Sequence, residues 1–456
     1  MKRAKKFCSR DEVLMKNKKK IIIVVSSILL VLLLTSGAIL LNAKISANKA
    51  SEISASSSSQ EAQQSETTAS NLSQGAEPSA TTTSETSNST SSTDTTQKPQ
   101  TTNGLQLSPS IENIKVRAVY LTGPSAGLTS RVDGIIDLAK KTELNTVVVD
   151  IKEDGCVNYA SSLEMVKKYG EQIKYYNPEK LIKKFHDNGV YVIGRIVTFR
   201  DKTLAKNRAD LGIKNSKGTL WLENGKNPWT NPYNEEVWDY NIAIAKEAIS
   251  KGFDEIQFDY LRFPTGKKGD FNYGTDVPAK AEAINGFLAK AQKELYVGLG
   301  VPVSADVFAI IIESKGDGES IGQRINEVGK DIYCINPMIY PSHYANNAKK
   351  GVMANGVGQN INGVTFTKPD LEPYKVMYNA LISAKTKISA VPGYKAKVRP
   401  YIQAFTAKYL PNGYYQTYGP QQVREQIKAI YDAGYEEWIL WDASNKYKEA
   451  YFNAEK

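Results

Sequence analysis

Cysteine and histidine are the scarcest reactive side chains in this chain of 456 residues, which has three of one and two of the other. Cys8, Cys156 and Cys334 are scattered along the sequence and make no disulfide framework; they read as one lone thiol and two packing residues. His186 and His343 belong to no HxH or HExxH pattern. A histidine-built zinc or binuclear site is therefore excluded, and neither a metal nor a cofactor is expected. The formal charge of +10 invites a nucleic-acid reading. Much of it, however, sits before residue 21, and the rest shows no clustered basic and aromatic patch, so no nucleic-acid partner is expected.

Large apolar side chains are nearly missing from residues 42–112, where runs such as TTTSETSNSTSSTDTTQ dominate. Such a stretch cannot bury enough apolar surface to offset the entropy of ordering it, and it reads as a disordered Ser/Thr-rich linker. Before it, residues 21–41 read IIIVVSSILLVLLLTSGAILL without a charge, which matches the roughly twenty residues of a membrane-crossing helix. Residues 1–20 are basic, with Lys2, Arg3, Lys5, Lys6 and Arg10 at the start and Lys18, Lys19 and Lys20 at the end. That asymmetry predicts a cytoplasmic N-terminus and an extracellular remainder in the cell membrane. A cleaved signal peptide is the alternative, but its apolar core is usually about 7–15 residues, shorter than this run. The expectation is an uncleaved, single-pass signal anchor followed by a tether.

From residue 113 to 456 apolar strands alternate with amphipathic helices. The predicted strands are VRAVYLT (116–122), TVVVDIK (146–152), VYVIGRIVTF (190–199), the stretch DEIQFDYLRFP (254–264), PVSADVFA (302–309), IYCINPMIY (332–340), VRPYIQAF (398–405) and EWILWD (437–442). Helices are expected between them, near 131–141, 177–189, 237–251, 278–296, 321–328, 369–387 and 420–433. Asn177 is the expected cap of the second helix, with Pro178 at its first position and Gly189 closing it. Strand and helix in regular alternation predict a (β/α)₈ TIM barrel as one domain over 113–456. A doubly wound sheet is the runner-up, but no Gly-rich phosphate loop follows the first strand.

In DEIQFDYLRFP, Ile256, Phe258 and Tyr260 share one parity while Glu255, Gln257 and Asp259 share the other. The strand therefore carries a carboxylate on one face to its C-terminal end, where Pro264 stops it and where such barrels keep their chemistry. Other strand ends carry Asp150 and Lys152, Arg195, Arg262, Asp306, Asn336, Tyr340 and His343, Gln403, and Trp441 and Asp442. A ring of carboxylates, amides and aromatics suits sugars, whose hydroxyls want polar partners and whose ring faces pack on indole or phenol. Cleaving a glycosidic bond needs two carboxyls, one to protonate the leaving oxygen and one to act as nucleophile or base. Asp259 is the expected nucleophile and Asp306 the acid/base, with Asp150 able to replace either. The other residues named are candidate substrate binders. Arg195 and Lys152 have an equal claim as structural partners of neighbouring acids.

The segments VRAVYLTGPSAG, NTVVVDIKEDG, GVYVIGRIVTFRD, DEIQFDYLRFP, NPMIYPSHY, VRPYIQAF and EEWILWDASN resemble the bacterial "putative glycosyl hydrolase domain" family, with a TIM-barrel fold, over about Lys115 to Tyr447. The resemblance implies distant similarity to amylase-like and α-galactosidase-like retaining enzymes, which place an aspartate nucleophile at the end of strand four. Asp259 matches that position. Amylase-like enzymes usually place a glutamate acid on strand five, where this chain has Asp306. The expected function is hydrolysis of a cell-surface or cell-wall polysaccharide. The alternatives are a non-catalytic glycan-binding barrel and a lytic or scaffolding role in envelope assembly.

Overall fold

The computed structural model describes residues 114–348, apart from Lys268, and 358–453. The expected basic segment, anchor and linker lie outside the described residues. Among the described residues no helix is long and apolar enough to cross a membrane.

The barrel strands are β1 (Arg117–Leu121), β2 (Thr146–Glu153), β3 (Tyr191–Val197), β4 (Glu255–Asp259), β5 (Val303–Phe308), β6 (Cys334–Met338), β7 (Tyr401–Gln403) and β8 (Trp438–Trp441). Each is parallel to its neighbours, and β1 pairs with both β2 and β8, so the sheet closes. Closure removes the free edges from the circuit of eight barrel strands. The outer helices are α1 (Thr129–Lys141), α2 (Pro178–His186), α3 (Glu235–Ser250), α4 (Lys280–Ala291), α5 (Lys315–Ile321), α6 (Pro373–Ser389) and α7 (Pro420–Asp432). At the start of α2 the Asn177 side chain accepts the Lys180 N–H, with Pro178 in the first turn.

Alternation along the strands separates two cores. Outward residues such as Ile256, Phe258, Val192 and Ile196 join the helices in one large apolar cluster. Phe258 meets Phe287 of α4 edge-on, with ring centroids 4.9 Å apart. Each such fully buried ring contributes about 1.5–3 kcal/mol. Inward residues fill the cylinder with a second, smaller cluster that includes Tyr120, Val148, Ile193, Tyr340 and Tyr401.

The inward face is also polar in layers. Low in the barrel Arg399 donates to Glu255 (2.8 Å) and Glu437 (2.8 Å). Above them the Tyr401 hydroxyl donates to Gln257 at 2.6 Å. Asp259 comes next on β4, at the rim. Polar pairs inside the cylinder thus build upward toward an open carboxylate.

Three expectations are corrected. The helix expected near 321–328 is replaced by α5, which starts at the Ser314 cap and ends at Gly322 in the left-handed region (φ 81°). The seventh strand is broken into Lys397–Val398 and Tyr401–Gln403, because Pro400 has no N–H to give to a ladder. Tyr260 does not continue β4; its φ of 47° turns the chain sharply after Asp259. For a tyrosine this conformation is strained, a feature found where surrounding contacts hold a functional residue in place.

Candidate active site

The rim of the barrel opens into a cleft of about 820 Å³. Of the expected site residues, Asp259, Asp306, Arg195, Arg262, Tyr340, His343, Trp441 and Asp442 border it. Asp150, Lys152, Asn336 and Gln403 do not.

Arg195 on β3 organises the acids. Its Nη1 donates to Asp150 (2.6 Å) and Glu153 (2.7 Å), while Nη2 and Nε donate to Oδ2 of Asp259 at 2.6 and 3.0 Å. Oδ1 of Asp259 accepts the backbone N–H of the strained Tyr260 at 2.5 Å. The carboxyl group is therefore held in one orientation beside a buried guanidinium.

Asp306 is held differently. It lies on β5, where Phe258 pairs with Ala305, so Asp259 and Asp306 each follow by one residue and sit level on adjacent strands. Asn336, opposite Asp306 in the β5–β6 register, donates to Oδ1 at 3.0 Å. Oδ2 is buried without a hydrogen-bond partner. Burial first, and then the nearby Asp259 charge, push the Asp306 carboxyl well above the usual carboxylate range. Side by side, one aspartate is matched to a cation and its neighbour is pushed toward its protonated form.

Asp150 lies beneath this pair. Its Oδ2 accepts the Tyr120 hydroxyl at 2.5 Å, and burial raises it to about 7 although Arg195 pulls the other way. It acts on the cleft only through Arg195.

The opposite wall is aromatic. Trp441 packs against Phe405 (centroids 5.2 Å), Tyr340 (5.9 Å) and Tyr120 (6.0 Å). His343 lies 5.1 Å from Tyr340, and burial lowers its imidazole to about 4, so it is neutral at pH 7. Its Nδ1 lies 3.1 Å from the Ser342 hydroxyl. Asp442 caps its own loop, accepting from the Ser444 N–H and hydroxyl at 2.9 and 2.6 Å.

Two candidate binders lie away from the cleft. Lys152 is fully buried, with Nζ 2.7 Å from Asp201 and 5.3 Å from the Tyr240 ring of α3. A register shift between Asp150 and Lys152 breaks the two-residue alternation and turns this side chain to the helix side. Gln403 is also fully buried; its amide donates to Asp370 (2.9 Å) and accepts the Ser342 N–H (3.1 Å), tying two loops together. Asn336 reaches the cleft only through Asp306. The sequence reading missed Phe308, Phe405 and Tyr409, which border the cleft, and Glu153, the third acid on Arg195. Phe308 and Phe405 follow the inward residues of their strands closely enough to be found by counting; Tyr409 lies in a loop and gave no signal.

No curated protein matches the chain. A hypothetical protein from Ruminiclostridium thermocellum is 45% identical over 41% of this chain and 97% of its own, with a TM-score of 0.39. The α-galactosidase of Thermus thermophilus is 11% identical over 76% of this chain and 61% of its own, with a TM-score of 0.39. The PgaB (BpsB) glycoside hydrolase domain from Bordetella bronchiseptica is 11% identical, covering 73% of this chain and 95% of its own at a TM-score of 0.52, a likeness of fold alone. The model of the family described as "Putative glycosyl hydrolase domain" matches residues 118–447, and the chain, a closed (β/α)₈ barrel with its acids at the strand ends, belongs to that family.

Proposed function

We propose that the barrel is a retaining glycoside hydrolase that cleaves a cell-surface or cell-wall polysaccharide. The observation that carries this reading is the level pair on β4 and β5: Asp259 fixed by Arg195, and Asp306 with its carboxyl raised well above the usual carboxylate range by burial and by the Asp259 charge. In the proposed reaction the Asp306 carboxyl gives its proton to the glycosidic oxygen as that bond breaks. Asp259 attacks the anomeric carbon and forms a glycosyl ester. Asp306, now a carboxylate, then takes a proton from water, whose oxygen displaces Asp259 and frees the sugar. Neighbouring strands lie about 4.8 Å apart, which favours the carboxyl separation of about 5–5.5 Å typical of retention over the wider spacing of inversion. The aromatic wall of Trp441, Tyr340 and Phe405 supplies faces on which sugar rings pack.

The uncharged run at 21–41 and the basic residues before it support an anchored, extracytoplasmic location, with 42–112 as the spacer that lets the barrel reach its polysaccharide. A second reading is favoured by the burial of Asp306, which is 1% exposed: the cleft binds glycan without turning it over. One experiment separates them. The full chain and its Asp259→Asn variant are compared on a glycan panel for released reducing ends and for retention on a glycan affinity gel. Hydrolysis by the parent, abolished in the variant with binding kept, supports the enzyme. Binding without any released reducing ends supports the non-catalytic barrel, and an unfolded variant makes Asp259 a structural acid.

A further inference from the structure

Arg262 differs from every other arginine at the barrel mouth. Arg195 is matched by three carboxylates and Arg200 by two, Asp154 and Glu223. Arg262 has no ion-pair partner among the described residues, although its exposure is only 9%. Its Nη1 donates to the Phe263 carbonyl at 2.9 Å, and its Nε is buried without a partner. Among the described residues Nη2 makes no hydrogen bond, and the residue borders the cleft beside Asp259. The carboxylates whose charges act on it, Glu223 and Asp259, are already bonded to Arg200 and Arg195.

The surroundings hold this cation still. Its guanidinium carbon lies 4.6 Å from the Phe308 ring centroid, 4.9 Å from Trp229 and 5.5 Å from Tyr260. Rings packed around a guanidinium leave its N–H edge as the route for a polar ligand. Removing such a charge from water without a counter-ion is costly, and burial here lowers the affinity of Arg262 for its proton. A ligand that brings the missing negative charge would relieve that cost, which a neutral sugar cannot do.

We propose that Arg262 is an oxyanion-binding subsite, and that the polysaccharide accepted by the cleft is acidic, bearing a carboxylate or phosphoryl group on the sugar that docks beside Asp259. This rests on the carbohydrate reading of the cleft. The shared chemistry is an oxyanion that accepts from the Nη2 side of the guanidinium, the side left without a bond by the contacts of Nη1 and the burial of Nε. The charges of Glu223 and Asp259, which reach Arg262, and of Asp317 on the cleft wall work against it.

The test measures binding to the full chain by tryptophan fluorescence and calorimetry, using sugars matched in size. Glucuronate and galacturonate form the carboxylate arm, glucose 1-phosphate the phosphoryl arm, and glucose and galactose the neutral arm, with the corresponding tetrasaccharides alongside. At least one anionic sugar is expected to bind about ten- to a hundredfold more tightly than its neutral counterpart, the range of a charge-assisted bond. The arm that shows the preference identifies the oxyanion. Arg262→Gln is expected to abolish that preference and Arg262→Lys to keep part of it. Equal affinity for neutral and anionic sugars overturns the proposal while leaving the carbohydrate reading intact, and so does a preference that survives Arg262→Gln. If no sugar of any kind binds, the carbohydrate reading fails and this proposal with it. The ratio in the unmodified chain needs no variant, so a misfolded Arg262→Gln does not obscure the result.

Discussion

Arg195 lies between Asp150 and Asp259, with one guanidinium nitrogen 2.6 Å from the first and another 2.6 Å from the second. The inner acid is thereby coupled to the acid at the cleft through one cation. Arg195→Met would leave both carboxylates buried without a counter-charge, an arrangement that costs about 3–5 kcal/mol. Urea denaturation is expected to show a loss of that order, together with loss of turnover. A loss below about 1 kcal/mol, the value of an exposed pair, would show that the acids do not depend on Arg195.

Asp150 is raised from an ordinary 3.8 to about 7, chiefly by burial. Between those values the folded state keeps a proton that the unfolded chain has lost. Stability should therefore be highest in acid and fall as pH rises from about 4 through about 7, by at most about 1.4 kcal/mol per pH unit. Asp150→Asn should flatten this slope in a series of melting curves. An unchanged slope would assign the pH dependence to another group.

Asp306 is expected to govern the alkaline side of the activity profile. Its carboxyl must be protonated to act as the acid, so kcat should fall as pH rises through its elevated pKa. Weakening its bond from Asn336 removes an interaction that favours the charged form, so Asn336→Ala should move the alkaline limb to higher pH. An alkaline limb that stays in place would separate Asn336 from the proton that Asp306 carries.

Lys152 and Asp201 form a buried pair with no route to the cleft. Lys152→Met should destabilise the fold by about 3–5 kcal/mol by stranding Asp201, and adding Asp201→Asn should recover part of the loss. The substrate KM of the folded enzyme should stay the same. A KM that rises with Lys152→Met would return this lysine to the substrate.

The barrel and most of its rim were legible because a strand has a period of two. That rule put Asp259, Asp306, Arg195 and Trp441 at the cleft from their positions alone. It failed where the backbone departs from regular pairing. The slip after Asp150 turned Lys152 outward, and Pro400 broke β7 before Gln403. The strained φ of Tyr260 removed it from the apolar face of its strand. Glu153 was missed because an acid beyond a bulge has no parity to read. The unpaired state of Arg262 was invisible, since it depends on where Arg195 and Arg200 send their carboxylate partners, and those contacts exist only in the closed barrel.

The central claim, that Asp259 attacks sugar while Asp306 supplies the proton, is tested most directly by trapping the glycosyl ester. The full chain is incubated with 2-deoxy-2-fluoro glycosides carrying good leaving groups and then analysed by intact-mass and peptide-mapping spectrometry. The account predicts one added sugar on the peptide containing Asp259, absent in Asp259→Asn, and still formed in Asp306→Asn, because the activated leaving group needs no acid. Hydrolysis of glycans without such an adduct, or an adduct on Asp306 or Asp150, would contradict it.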